Sequence, residues 1–309
     1  MLCRVVGEVE DNADQAWIDP PSSHLSVPDY VHPWTGTSSR VFGLFASAIS
    51  LCRRFRVRSR RHHAPTTKLL QKSLRDIEDA QSLEKQLELL ELRDVSNVPP
   101  TDDELTPRSD LVNLAEAYRL SALLHLRQTF PDLVADSHGW QTAANEQDQV
   151  GAEPQRSALE IINVLDRIPA TSGTQAIQPL LYLSASTGLK FDVPVCGIED
   201  SSSLVEEILG CGLATENSSI PGHSPQLDEE SSKRDTPKLT TISIQVGQAR
   251  RFVLERLGML EHHLPSKPTR ITKQLVQAIW DAYDKEGPSS NQAHWIDIMN
   301  DTGLRTMFG

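Results

Sequence analysis

Six arginines within nine residues form the strongest charge feature of this chain. They are Arg53, Arg54, Arg56, Arg58, Arg60 and Arg61. A basic cluster of this density is typical of nuclear-localisation signals and of patches that bind nucleic acid. It is also compatible with the C-terminal end of a helix, where the helix dipole stabilises cations in contact with water. We keep both interpretations open, because a local basic cluster stands out in a chain whose formal net charge is −12.

The four cysteines are too few and too far apart for a binuclear zinc cluster. They are Cys3, Cys52, Cys196 and Cys211. Such a cluster requires six cysteines in two tight groups, because each thiolate must reach one of two adjacent metal ions. Two histidine pairs, His62–His63 and His262–His263, could offer imidazole ligands, but adjacent side chains on a helix point in different directions. We interpret these histidines as solvated residues near helix ends, and we predict no metal site and no cofactor.

Catalytic motifs are missing from the sequence. It contains no GxGxxG or Walker A loop, no HExxH pair and no GxSxG turn. His223 and Ser224 are neighbours, but they lie in a polar segment that offers no rigid element to orient them. The sequence therefore predicts a protein that is not an enzyme.

The overall charge also limits the partners of the chain. An acidic molecule is not a nucleic-acid-binding surface as a whole, because phosphate contacts need local positive charge. We expect no sequence-specific DNA contact by this chain. The most hydrophobic run, Val41–Cys52, is shorter than the roughly 20 residues that span a bilayer, and Met1–Glu10 lacks a signal-peptide pattern. We expect an intracellular protein without a membrane segment.

Helices must position these residues, because leucine, alanine, glutamate and arginine recur at helical spacing and β-branched alternation is scarce. With 38% hydrophobic residues among 309, the chain can bury a large core. We predict helices over residues 39–57, 67–93, 113–131, 155–167, 174–186, 249–262, 269–285 and 291–301. Residues 1–33 form an irregular lead-in, residues 136–153 a loop, and residues 214–240 a disordered insertion, because these segments are polar or rich in proline.

The second predicted helix carries apolar residues at steps of three and four. They are Leu70, Leu74, Ile77, Ala80, Leu83, Leu87 and Leu90. This seam could form a coiled coil, but it lasts only about three heptads. We favour packing within the helical bundle.

The helix within residues 113–131 is apolar around most of its circumference, so it must lie inside a larger helical assembly. It resembles the signature helix of the fungal-specific transcription factor domain. The residues in register with that family are Ala115, Glu116, Ala117, Tyr118, Arg119, Leu120, Ala122, Leu123, Leu124, Leu126, Phe130 and Pro131.

Further segments resemble the same family, in the family's order. They are Trp34–Leu51, Gln178–Ser186 (where Gln178 replaces the usual tryptophan), Arg250–Leu257, Ala278–Asp281, and His294–Gly303 followed by Met307–Gly309. The resemblance implies an all-α regulatory domain, a multi-helix bundle or superhelix, over residues 34–309. The zinc cluster that usually accompanies this domain is missing here. The family's large apolar anchors correspond to Tyr118, Leu124, Phe252, Trp280 and Trp295, which we expect in the core.

The resemblance also implies a function. It is regulation of RNA polymerase II transcription in the nucleus, with the transcription machinery or co-regulators as partners and possible self-association. The alternative is a helical scaffold or adaptor unrelated to transcription, whose leucine-rich helices match by coincidence.

Glu116 and Arg119 are three residues apart, so they share one face of the predicted helix and can form an ion pair. An unpaired charge on so apolar a helix would be costly. The two side chains could contact an effector in the bundle interior, or they could form an internal pair that fixes the helix register. We favour the internal pair.

Overall fold

Eight α-helices make up the described part of the computed structural model, which comprises residues 31–61, 66–133, 146–191, 240–286 and 293–305. They are α1 (Ser39–Arg61), α2 (Thr67–Glu88), α3 (Arg108–Thr129), α4 (Glu146–Asp166), α5 (Gln178–Ser186), α6 (Thr241–His263), α7 (Ser266–Glu286) and α8 (Trp295–Thr302). No strand occurs in these ranges, where the β-pairing consists of an isolated bridge between His32 and Gly36. The predicted all-α fold is confirmed.

Two helices organise the bundle. α3 contacts α1, α2, α4 and α5, and it is buried around most of its circumference, as its apolar sequence predicts. α5 is buried along its whole length and contacts α3, α4, α6 and α7. The short helix α8 packs against α7 and α1, so the last described helix lies beside the first.

Several helix boundaries differ from the prediction: α6 begins at Thr241 and not at residue 249, and α1 continues to Arg61 and not to residue 57. α2 ends at Glu88, not at residue 93, because Leu90 and Leu92 both pack against the core, a spacing of two that suits an extended chain better than a helix. α4 begins at Glu146 and continues through Pro154. The loop predicted over residues 136–153 is therefore wrong for residues 146–153, whereas residues 134–145 lie outside the described residues.

Other predicted segments fall largely outside the described residues. The insertion predicted over residues 214–240 does so except for Thr240, which caps α6 by accepting a hydrogen bond from the backbone N–H of Ser243. Of the predicted lead-in over residues 1–33, the structure describes residues 31–33.

The turn before α1 requires a glycine. Gly36 has a φ of +70°, and a Cβ at this position would lie 2.7 Å from the carbonyl oxygen of Leu111 in α3. We expect Gly36→Ala to lower the free energy of unfolding by about 2–3 kcal/mol, through backbone strain and this contact. The measurement is urea unfolding followed by circular dichroism.

Gly43 supplies the matched control. It lies inside α1, and a Cβ there would meet nothing within 4 Å. Gly43→Ala should therefore raise the stability by about 0.5–1 kcal/mol, because alanine favours a helix more than glycine does. Equal effects of the two substitutions would contradict the assignment of Gly36 as a conformational requirement.

Candidate functional site

The arginine segment of α1 contacts two other helices through opposite faces. Residues two apart on a helix point about 200° apart, whereas residues four apart share a face. On the first face, Arg54 donates hydrogen bonds to Asp76 at 3.0 Å and to Asp79 at 3.3 Å. Arg58, one turn further along α1, forms an ion pair with the other carboxylate oxygen of Asp76. This face is therefore joined to α2.

The second face is joined to α8. Arg56 donates a hydrogen bond to Asp297, and Arg60 donates to both carboxylate oxygens of Asp301 at 2.9 and 3.1 Å. Arg60 also lies 3.7 Å from Asp297. These contacts connect residues that are about 240 positions apart in the sequence. The charged face of α8 is thus held against the basic end of α1.

The ion pairs of the two faces differ in their burial. The side chain of Asp76 is 4% exposed, and that of Arg58 is 15% exposed. Burial, and then the charge of Arg54, lowers the pKa of the Arg58 guanidinium. In contrast, hydrogen bonding to Asp301 and the charge of Asp297 raise the pKa of Arg60. A buried charge is tolerated only where a partner compensates it, so Asp76 depends on α1.

The remaining two arginines of the segment are Arg53 and Arg61. Burial, and then the charge of Arg305, lowers the pKa of Arg53. The side chain of Arg61 lies outside the described residues. At least four of the six arginines form ion pairs with other helices. Neither the basic-patch interpretation nor the helix-end interpretation of the sequence included such pairs. A role in nuclear import or nucleic-acid binding stays a prediction.

We expect Asp76→Asn to lower the free energy of unfolding by about 2–3 kcal/mol, because Arg58 loses the carboxylate that compensates its charge. Asp79→Asn is the matched control, since Asp79 also pairs with Arg54 but its side chain is 61% exposed. An exposed pair contributes at most about 1 kcal/mol. Urea unfolding of both variants tests this, and a loss that is no larger for Asp76→Asn than for Asp79→Asn would contradict it.

Glu116 and Arg119 form a bidentate ion pair. Arg119 donates through Nε at 2.7 Å and through its terminal nitrogen at 2.6 Å, one bond to each carboxylate oxygen. The hydrogen bonds that Arg119 donates to Glu116 raise the pKa of Arg119. The two side chains are 26% and 22% exposed, so the pair lies at the edge of the bundle. A contact to an effector at this pair stays a prediction.

A buried polar cluster between α1, α3 and α8 was not found from the sequence. His294 caps α8, and its Nδ1 accepts a hydrogen bond from the backbone N–H of Ile296 at 3.3 Å. Its Nε2, which then carries the proton, lies 3.2 Å from the hydroxyl of Thr129. That hydroxyl donates to the backbone carbonyl of His125 at 2.8 Å, and the thiol of Cys52 donates to the same carbonyl at 3.4 Å.

The imidazole of His125 is the unusual member of this cluster. It is fully buried beside the ring of Trp295, at a centroid distance of 5.1 Å, and neither ring nitrogen has a hydrogen-bond partner among the described residues. Burial lowers the pKa of His125 to about 3. The pKa of His294 is also lowered, by burial and then by the charges of Arg56 and His125, and burial raises the pKa of Cys52 to about 12. The signal for this cluster in the sequence is His125 itself, a lone histidine in the apolar sequence of α3.

A third polar arrangement closes the C-terminal end of α5. Side chains of α6 and α7 donate to the last carbonyl of α5 and to carbonyls just beyond it: Trp280 to Ser186 at 3.1 Å, Tyr283 to the C-cap Thr187 at 3.0 Å, and Arg250 to Leu189 at 2.9 Å. Arg250 also forms a bidentate pair with Asp284 at 2.7 and 2.9 Å. The guanidinium of Arg250 thus compensates both the carboxylate and the negative end of the helix dipole.

Four of the five expected core anchors are confirmed. Tyr118, Leu124, Trp280 and Trp295 are all buried. The expectation of a core position is wrong for Phe252, which is only partly buried. The guanidinium of Arg256 lies over its ring, 5.0 Å from the centroid.

Of the two histidine pairs considered as possible metal ligands, one lies within the described residues. His262 and His263 are exposed in the last turn of α6, while His62 and His63 lie outside the described residues. Within the described ranges, no group of three or more His, Cys, Asp or Glu side chains is placed to hold a metal ion. None of the described helices is both long enough and apolar enough to cross a membrane.

The comparison with protein families gives a match. The model described as fungal specific transcription factor domain matches residues 10–192, more than half of the chain. The match includes α1 to α5, and therefore the central helix α3 together with α1, α2, α4 and α5, which pack against it. No curated protein and no solved structure matches the chain. This chain belongs to the fungal-specific transcription factor domain family.

Proposed function

We propose that this chain is the regulatory domain of a fungal regulator of RNA polymerase II transcription. It acts in the nucleus through the transcription machinery or co-regulators, and it neither catalyses a reaction nor contacts DNA sequence-specifically. The observation that carries this proposal is the family match over residues 10–192. Membership of this family supports transcription regulation and nuclear residence in general.

The arginine segment supports the part of the proposal that concerns DNA. Sequence-specific readers place a helix in the major groove with side chains free to contact base edges. In α1, the guanidinium groups of Arg54, Arg56, Arg58 and Arg60 instead contact carboxylates of α2 and α8. Nanomolar, sequence-specific binding of the isolated chain to duplex DNA at physiological salt would overturn this part.

A tethering experiment tests regulation against the adaptor alternative. The chain is fused to a heterologous DNA-binding module, with and without a strong activation segment, and a reporter carrying the matching site is measured in a fungal cell. We expect the chain to change reporter transcription several-fold, and only when the site is present. The Trp280→Ala variant serves as the destabilised control. A folded fusion that changes transcription in neither arrangement would favour an adaptor unrelated to transcription.

We also propose that the arginine segment serves nuclear import, since Arg54 and Arg60 remain 43% and 46% exposed despite their ion pairs. Replacing Arg53, Arg54, Arg60 and Arg61 with glutamine should then move a fluorescent fusion to the cytoplasm. The control is Asp76→Asn, which disturbs the contact of α1 with α2 but keeps every arginine. Relocation of both variants would indicate misfolding, and an unchanged nuclear signal in the quadruple variant would overturn the import role.

A further inference from the structure

The solvent-facing side of α2 carries a stripe of exposed leucines and charged residues that lies outside the core. The buried residues of α2 are Asp76, Ala80, Glu84 and Leu87, which share one face. Leu70 and Leu74 lie roughly a quarter to a third of the circumference away, as their spacing from that face dictates. They are 55% and 60% exposed. The predicted seam is therefore divided, and its N-terminal leucines remain outside the core.

A third exposed leucine continues this stripe. Leu89, which is 71% exposed, caps α2 in the right-handed helical conformation, so it extends the helical course by one residue. Between the leucines, at helical steps of three and four, lie Glu78, Gln81 and Lys85, all exposed. Neither Glu78 nor Lys85 forms an ion pair with another described residue.

The order of residues along the stripe is self-complementary. If two copies of α2 pair in antiparallel orientation about a point between Glu78 and Lys85, Glu78 of each copy faces Lys85 of the other. In the same register Leu74 faces Leu89, and two-fold symmetry makes each contact occur twice. Parallel pairing would instead place like charges opposite each other. The charges thus select one orientation, while the leucines supply the apolar contact.

We propose that this face of α2 is a self-association surface, which pairs with the same face of a second copy of the chain in antiparallel orientation. A helix of 22 residues is about 33 Å long, so the contact lies at the small end of specific interfaces. We therefore expect a reversible dimer with a dissociation constant on the order of micromolar. The proposal does not depend on a role in transcription.

Sedimentation equilibrium of the full chain over a range of concentrations tests the surface. Leu74→Glu should weaken association on the order of tenfold or more, because the substitution enters the contact twice. Leu105 is the matched control: it is also an exposed leucine, 63%, but it lies in the loop before α3. Leu105→Glu should leave association unchanged. A monomer at all concentrations, or equal association of both variants, would overturn the proposal.

Charge exchange tests the orientation. Glu78→Lys and Lys85→Glu should each weaken self-association, because each places like charges opposite each other in the antiparallel pair. An equimolar mixture of the two single variants should recover association as a mixed dimer, and the chain that carries both substitutions should recover it alone. Single variants that associate as tightly as the unchanged chain would overturn the antiparallel register. Circular dichroism melting of each variant confirms that the monomer is folded.

Discussion

Replacing Trp280 with alanine should lower the free energy of unfolding by about 3–5 kcal/mol, the range for truncating a buried aromatic side chain. Trp280 is 5% exposed, and its indole nitrogen donates to the carbonyl of Ser186 at 3.1 Å. Its ring also lies beneath the guanidinium of Arg250, 5.1 Å from the ring centroid. The substitution therefore leaves a cavity, a carbonyl without its donor, and an arginine without one of its aromatic neighbours.

Two further substitutions separate these contributions. Trp280→Phe retains most of the packing and loses the hydrogen bond, so it should cost about 1–2 kcal/mol. Trp34→Ala is the control for a general effect of removing tryptophan, because Trp34 is 46% exposed. Its cost should stay within about 1 kcal/mol. Urea unfolding gives all three values, and a loss below about 1 kcal/mol for Trp280→Ala would contradict its place in the core.

Lowering the pH from 7 to 5 should destabilise the fold by roughly 2 kcal/mol through His125, and His294 should add to this loss in the same direction. Burial lowers the folded-state pKa of His125 from 6.5 to about 3, and that of His294 is lowered in the same direction. Below pH 6.5 the unfolded chain therefore binds protons that the folded chain does not. The contribution of His125 is complete above its unfolded-state pKa, and it falls by about 1.4 kcal/mol for each pH unit below it.

Two substitutions identify the source of this pH dependence. His125→Phe places a ring of similar size against Phe45 and Trp295 and should lower the slope between pH 6.5 and 5 by about 1 kcal/mol per pH unit. Gly43→Ala, which removes no titratable group, should leave the slope unchanged. The measurement is urea unfolding at each pH. Equal stability of the unchanged chain at pH 7 and pH 5 would contradict the assignment of a neutral, buried His125.

The sequence by itself determined those features that depend on neighbours within one or two helical turns. The apolar circumference of α3 predicted a buried helix, and the structure places that helix at the centre of the bundle. Gly303 ends the last helix in the left-handed conformation, with a φ of +68°, which glycine adopts without a steric cost. Glu116 and Arg119, three residues apart, form an ion pair on α3. Such features follow from helical periodicity and from local backbone preferences.

The tertiary structure alone decided which distant groups meet. The spacing of Arg56 and Arg60 shows that they share a face, but nothing local indicates that this face meets Asp297 and Asp301. The approach of His294 to His125 has the same origin. Coulomb and packing energies depend on separation in space, which the folding of the whole chain sets.

In α2, the sequence and the tertiary structure each determined a different property of one helix. Its leucines repeat at helical spacing, so the sequence predicts one apolar seam that packs into the bundle. In the structure α2 is rotated so that Asp76 and Glu84 are buried against Arg58 and Arg127, while Leu70 and Leu74 are exposed. The sequence therefore determined that α2 is an amphipathic helix. Which side it presents to the bundle was decided by the tertiary structure, because carboxylates can be buried only where the arginines of other helices compensate their charge.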